Sequence, residues 1–193
     1  LNIAKENNCD TLAIVNVVDS SIAREANTVL YTNAGPEIAV ATTKAYSAQV
    51  ALLSLIAFNM TLKNKKMSIQ EAKLMISDIK KLPEQINSLL NKGEYKKVAE
   101  QVYQHNDVYF LGRKIDYAMA MEGSLKLKEI SYIHSEAYPA GELKHGTISL
   151  IEKGTPVIGI LTDEEISAKT ISNMKETKAR GAKLIAIKTE NIE

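Results

Sequence analysis

The passage from Met121 to Gly146, MEGSLKLKEISYIHSEAYPAGELKHG, sets several ionisable groups among apolar neighbours at helical spacing. If Tyr117 to Ser131 forms one helix at about 100° per residue, Glu122, Lys126 and Glu129 share a narrow arc. Ala118 and Leu125 bound that arc on one side, Met119 and Ile130 on the other. A charged wedge in an otherwise apolar helix has two readings. One is an ordinary Glu-to-Lys pair on a wet face, worth about 0.2–0.5 kcal/mol. The other is a carboxylate and an amine held together for proton transfer, with burial and proximity adjusting their proton affinities.

The sequel favours chemistry. After the helix the sequence reads as an irregular, aromatic and glycine-punctuated passage that ends in Glu142, Lys144 and His145. Loops of this kind carry sites more often than cores do. His145 could add a third titrating group to the wedge, or could simply begin the short apolar segment Ile148 to Ile151. A second place of interest is TNAGPEIAVATTKAY, where Gly35 and Pro36 mark a turn and Thr42 or Thr43 can cap the long apolar helix running to about Leu62. Hydroxyls at a helix entrance suit an anionic or polyol ligand, though capping is their commoner use.

The elements that must position these residues alternate. Leu1 to Asn8 reads as the end of a helix, Thr11 to Val17 (TLAIVNV) as a strand buried on both faces of a parallel sheet, and Ser20 to Ala26 as a short helix capped by Asp19 or Ser20. Val29 to Thr32 is the next strand. From Lys63 to Gln104 the composition shifts to Lys, Glu, Gln and Asn with spaced apolar residues, which predicts two or three amphipathic helices broken at Pro83 and Gly93. Strand character returns at Asp107 to Leu111, Pro156 to Leu161 and Lys183 to Ile187, with helices between, the last over Glu164 to Arg180 and closed by Gly181. That alternation predicts an α/β protein with two parallel sheets joined by a helical connector. The similar strand-then-helix openings of the two halves suggest a distant duplication.

Composition narrows the function. Lys and Arg total 24 against 23 for Asp and Glu, so no basic field invites nucleic acid. The single cysteine, Cys9, can form no internal disulfide, which fits a reducing cytoplasm, and it has no neighbouring ligand for a metal; it reads as a small buried hydrophobe. The longest apolar run, Val50 to Phe58, is shorter than the roughly 20 residues of a membrane span, so no membrane partner is expected.

Three stretches together, TNAGPEIAVATTKA, FLGR and EGSLKLKEISYIHSEAYPAGELKHG, resemble the isomerase half of the glutamine:fructose-6-phosphate aminotransferase (glucosamine-6-phosphate synthase) family. The resemblance runs end to end and implies two sugar isomerase (SIS), flavodoxin-like domains, both incomplete. Residues 1–67 would be the rear of the first, 68–98 the connector and 99–193 the front of the second. It implies conversion of fructose 6-phosphate, with ammonia from a separate glutaminase domain, to glucosamine 6-phosphate, without metal or cofactor. Glu129 would be the base moving a proton between C1 and C2, Lys126 its neighbour, and His145 an aid to ring opening supplied across a homodimer interface. Val40, Ala41 and Thr42 would form the sugar-contacting turn. The family's phosphate-holding loop would lie ahead of Leu1 and its Schiff-base lysine beyond Glu193, so the stretch by itself is expected to be inactive. The competing expectations are a sugar-phosphate deglycase or aldose–ketose isomerase on the same domains, and a non-catalytic sugar-phosphate sensor. A sensor would need neither a base at Glu129 nor a ring-opening group at His145.

Overall fold

A computed structural model describes residues 1–192. The chain divides into two compact units, Leu1–Ser88 and the part from Leu89 onward.

In the first unit, helix α1 (Asn2–Glu6), strand β1 (Leu12–Val15), helix α2 (Ser21–Glu25) and strand β2 (Thr28–Tyr31) precede the long helix α3 (Lys44–Lys63). β1 and β2 pair in parallel, Leu12 opposite Thr28 and Val15 opposite Tyr31. Of β1 only Ala13 is buried, and Leu12 is 49% exposed. The apolar run promised a strand covered on both faces, but a two-stranded sheet with α2 packed on it does not cover them. Ser20 caps α2 by accepting a hydrogen bond from the Ala23 N–H, while Asp19 turns outward to Arg24. Cys9 is exposed rather than buried, because it lies in the turn between α1 and β1 and not in a strand.

α3 extends the apolar run Val50 to Phe58 to 20 residues with a mean hydropathy of 1.4, none of it buried. By length and composition alone it reaches the range of a membrane span, which the nine-residue run by itself did not. Thr43 occupies its N-cap position in helical conformation and makes no side-chain cap bond. Its carbonyl instead accepts from the backbone and hydroxyl of Ser47.

Helix α4 (Ile69–Lys92) runs through Pro83 without ending, contrary to the expected break. Strong helix formers flank the proline, and at an exposed position the carbonyl that it leaves unpaired can be hydrated. Gly93 does end the helix, at a φ of 67° that favours glycine, and helix α5 (Glu94–Val102) follows.

The second unit is built on a four-stranded parallel sheet of order β4-β3-β5-β6, with β3 Asp107–Gly112, β4 His134–Pro139, β5 Pro156–Leu161 and β6 Lys183–Lys188. β3 and β5 are buried along nearly their whole length, as strands covered on both faces must be. Helix α6 (Ile115–Ser131) connects β3 to β4, and helix α7 (Glu164–Ala179) connects β5 to β6. Val108, Phe110, Ile158 and Ile160 form one core with Ala120 of α6; Tyr109, Leu111, Val157 and Leu161 form the other with Met174 of α7. β4 falls where the sequence read as irregular. Its residues HSEAYP are polar because it is the edge strand, hydrogen-bonded to β3 alone, and a proline is tolerated there.

Candidate functional site

Four contacts, on β3, on β4 and on the residue after β5, fix how α6 lies. At Gly112 the end of β3 approaches the first turn of α6 so closely that a Cβ would stand 2.3 Å from the Asp116 carbonyl oxygen. Asp116, 1% exposed, accepts from the Thr162 N–H at 3.0 Å and from the Thr162 hydroxyl, tying the start of α6 to the residue after β5. Midway along, Gly123 lies against Phe110 of β3, where a Cβ would meet the ring at 3.1 Å. Ser124 and Ser135, both buried, join α6 to β4 through their hydroxyls at 2.9 Å.

These contacts aim the charged wedge. At about 100° per residue, Glu122 lies about 200° from both Ala120 and Ser124, so the wedge points away from the sheet. There it is a real cluster. Lys126 Nζ lies 2.5 Å from Glu129 Oε2 and 3.6 Å from Glu122 Oε1. The side chains of Glu122, Lys126 and Glu129 keep only 23%, 19% and 26% exposure, less than a freely hydrated pair would. The hydrogen bond to Glu129 raises the Lys126 pKa above the usual lysine value, helped by the charges of both glutamates and opposed by partial desolvation. The ammonium is therefore firmly protonated at neutral pH. Around it Met119, Leu125 and Ile130 stand 41%, 43% and 67% exposed, an apolar rim on the same outward face.

The other expected residues lie elsewhere. His145 ends a short 3-10 turn, Leu143–His145, with its backbone N–H donating to the Glu142 carbonyl. Its side chain is exposed, and among the described residues no hydrogen bond or ion pair joins it to the wedge. It does not cap the next turn either, since Gly146 holds that position at a φ of 152°. Val40, 84% exposed, and the half-buried Ala41 and Thr42 belong to the loop before α3 in the first unit. That loop is bent back by Lys44, whose ammonium donates to the Pro36 carbonyl at 2.5 Å. No group of three or more His, Cys, Asp or Glu residues is disposed to hold a metal among the described residues.

Asp116 and Ser124, which position α6, were not singled out from the sequence. A signal for Ser124 was present, since a serine in the middle of the buried arc of a helix needs a partner.

The strand order, in which the chain passes from β4 across β3 to β5, is the doubly wound parallel arrangement of flavodoxin type. A family model described as the SIS domain matches residues 1–58 and 101–192. The chain belongs to the SIS domain family. It is 54% identical over 187 residues, 96% of its length, to a glutamine–fructose-6-phosphate aminotransferase [isomerizing] of Caldanaerobacter subterraneus subsp. tengcongensis, and 51% identical over 181 residues to that of Methanosarcina acetivorans. It spans 31% and 29% of those two relatives. Among solved structures, the C-terminal domain of glucosamine-fructose-6-phosphate aminotransferase from Francisella tularensis superposes with a TM-score of 0.91 at 36% identity, covering 98% of this chain and 54% of that one. A glucosamine-6-phosphate deaminase from Thermotoga maritima shares the fold, with a TM-score of 0.73 at 24% identity over 96% of this chain and 55% of that one.

Proposed function

We propose that this chain is the sugar-isomerising part of a glutamine–fructose-6-phosphate aminotransferase, which turns fructose 6-phosphate and glutamine-derived ammonia into glucosamine 6-phosphate. The observation that carries this reading is the half-buried Glu122–Lys126–Glu129 cluster on the outward face of α6, within a sequence about half identical to relatives bearing that name. Glu129 is the base. It takes the proton from the sugar carbon next to the imine or carbonyl; the C–H electrons form a double bond between the two carbons while the imine or carbonyl pair shifts onto its nitrogen or oxygen, which takes up a proton. Glu129 then returns its proton to the former imine or carbonyl carbon as the hydroxyl on the first carbon gives up its proton and becomes the new carbonyl. Lys126 offers a fixed positive charge beside the base and the charge that develops on the substrate oxygen.

Val40, Ala41 and Thr42 contact the sugar, and His145 assists ring opening from the second subunit of a homodimer. An exposed His145 side chain with no hydrogen bond or ion pair among the described residues fits delivery to another chain. The glutaminase portion supplying ammonia belongs to the same protein, which works in the cytoplasm. The apolar surface of α3 is covered by protein rather than lipid, a reading supported by the match of residues up to 58 to the SIS domain.

The test is Glu129→Gln in the complete aminotransferase. The amide keeps size and hydrogen bonding but accepts no proton, so glucosamine 6-phosphate formation should fall about 10²- to 10⁴-fold while glutamine hydrolysis and the melting temperature are retained. Near-normal product formation would return the wedge to a surface ion pair.

A further inference from the structure

Lys126 stands between two carboxylates, and the reaction as proposed uses only one. We infer that Glu122 is a positioning residue for isomerisation, holding the Lys126 ammonium in place while Glu129 carries the substrate proton. The inference rests on the reading of Glu129 as the base.

Glu122 precedes Lys126 by four residues and Glu129 follows it by three, so the two carboxylates reach the ammonium from one turn behind and one turn ahead. When the substrate C–H bond breaks and its proton moves to Glu129, that carboxylate becomes neutral, and the shorter ion pair at 2.5 Å loses its charge attraction. Lysine has a flexible four-carbon stem and a strongly hydrated head, so an ammonium with no other anchor would swing toward water at this moment. Glu122 keeps its charge throughout, and its Oε1 already lies 3.6 Å from Nζ. The ammonium therefore stays over the same patch of helix until Glu129 returns the proton. A pair whose only purpose was helix stability would have no need for a second carboxylate on the same lysine, nor for only 23% exposure at Glu122.

Glu122→Gln and Glu122→Asp in the complete aminotransferase test this, with isomerisation kcat, KM for fructose 6-phosphate, glutamine hydrolysis and melting temperature measured for each. Glu122→Gln should lower the isomerisation kcat on the order of 10-fold with KM and melting temperature unchanged, the pattern of a lost reaction-stage interaction. Glu122→Asp restores the charge and should recover most of the rate. An unchanged kcat in Glu122→Gln, equal losses in the two variants, or a loss that tracks a lower melting temperature overturns the inference. Measured beside them, an inactive Glu129→Gln with a fully active Glu122→Gln overturns the role of Glu122 alone. Near-normal turnover in Glu129→Gln overturns the base assignment, and the role of Glu122 with it.

Discussion

The Ser135 hydroxyl donates to the Ser124 hydroxyl across 2.9 Å, both side chains are buried, and the bond lies on the side of α6 opposite Glu122. It is the polar contact that sets the rotation of the helix relative to the edge strand. Removing one partner leaves a buried hydroxyl unpaired. Ser135→Ala should cost about 1–3 kcal/mol, whereas the double change of Ser124 and Ser135 to Ala should recover most of that loss. Urea denaturation of the two variants checks it; a double variant no better than the single one would show that the hydroxyls act independently.

Lys114 occupies a backbone conformation, φ 51° and ψ −122°, that L side chains avoid and glycine adopts freely. Strain of this kind is worth on the order of 1–3 kcal/mol, more than the roughly 1 kcal/mol by which glycine's unfolded-state entropy opposes it. The Lys114–Asp163 ion pair, 3.8 Å long with the lysine 63% exposed, offsets little. Lys114→Gly is expected to raise the melting temperature and Lys114→Ala is not. Calorimetry of both decides it, and equal melting temperatures would remove strain as the explanation.

Ahead of α4, Ser68 and Glu71 form a reciprocal cap. The Glu71 N–H donates to the Ser68 hydroxyl at 3.2 Å, and the Ser68 N–H donates to the Glu71 carboxylate at 2.7 Å. Ser68→Ala should cost about 0.5–2 kcal/mol. The backbone bond from Ser68, with the hydroxyl adding to it, holds the Glu71 pKa below the usual carboxylate value. A depressed folded-state pKa stabilises fully above the unfolded value of about 4.3, and the contribution is lost as pH falls through the lower folded value. The stability gap between the parent and Glu71→Gln should therefore close on acidification below about pH 4. Melting curves across that range measure it, and a gap independent of pH would assign it to something other than the carboxylate charge.

How much of this was legible depended on how strongly burial marks each residue. β3 and β5 were readable because Val108 to Leu111 and Val157 to Leu161 are apolar on both faces, as central parallel strands must be. β4 was not, since an edge strand can carry His134, Glu136 and Pro139, and those residues read as loop. The Glu122–Lys126–Glu129 cluster followed from helical spacing, because one helix fixes it by itself. The surroundings of His145 did not follow from spacing, since chain order says nothing about what a loop residue faces. Pro83 and Thr43 misled for a common reason: breaking and capping preferences are weak, and an exposed helix can ignore them. Cys9 was read from residue type alone, and its turn placed it in water.

The centrality of β3 also bears on how the second unit assembles as it is made. β3 comes first in the chain among the four strands, yet its partners arrive late: Asp107 pairs with His134, 27 positions on (134 − 107), and Tyr109 with Val157, 48 positions on (157 − 109). At a synthesis rate of about 5–20 residues per second, the second partner trails by roughly 2 to 10 s. During that interval β3, α6 and β4 can form a right-handed crossover with one edge of β3 still unpaired. Asp116 waits almost as long for Thr162, 46 positions on (162 − 116). The helix bearing the glutamates thus acquires its rotation from Ser135 before its Asp116–Thr162 tie exists, and the emergence of β5 both pairs the open edge of β3 and adds that tie.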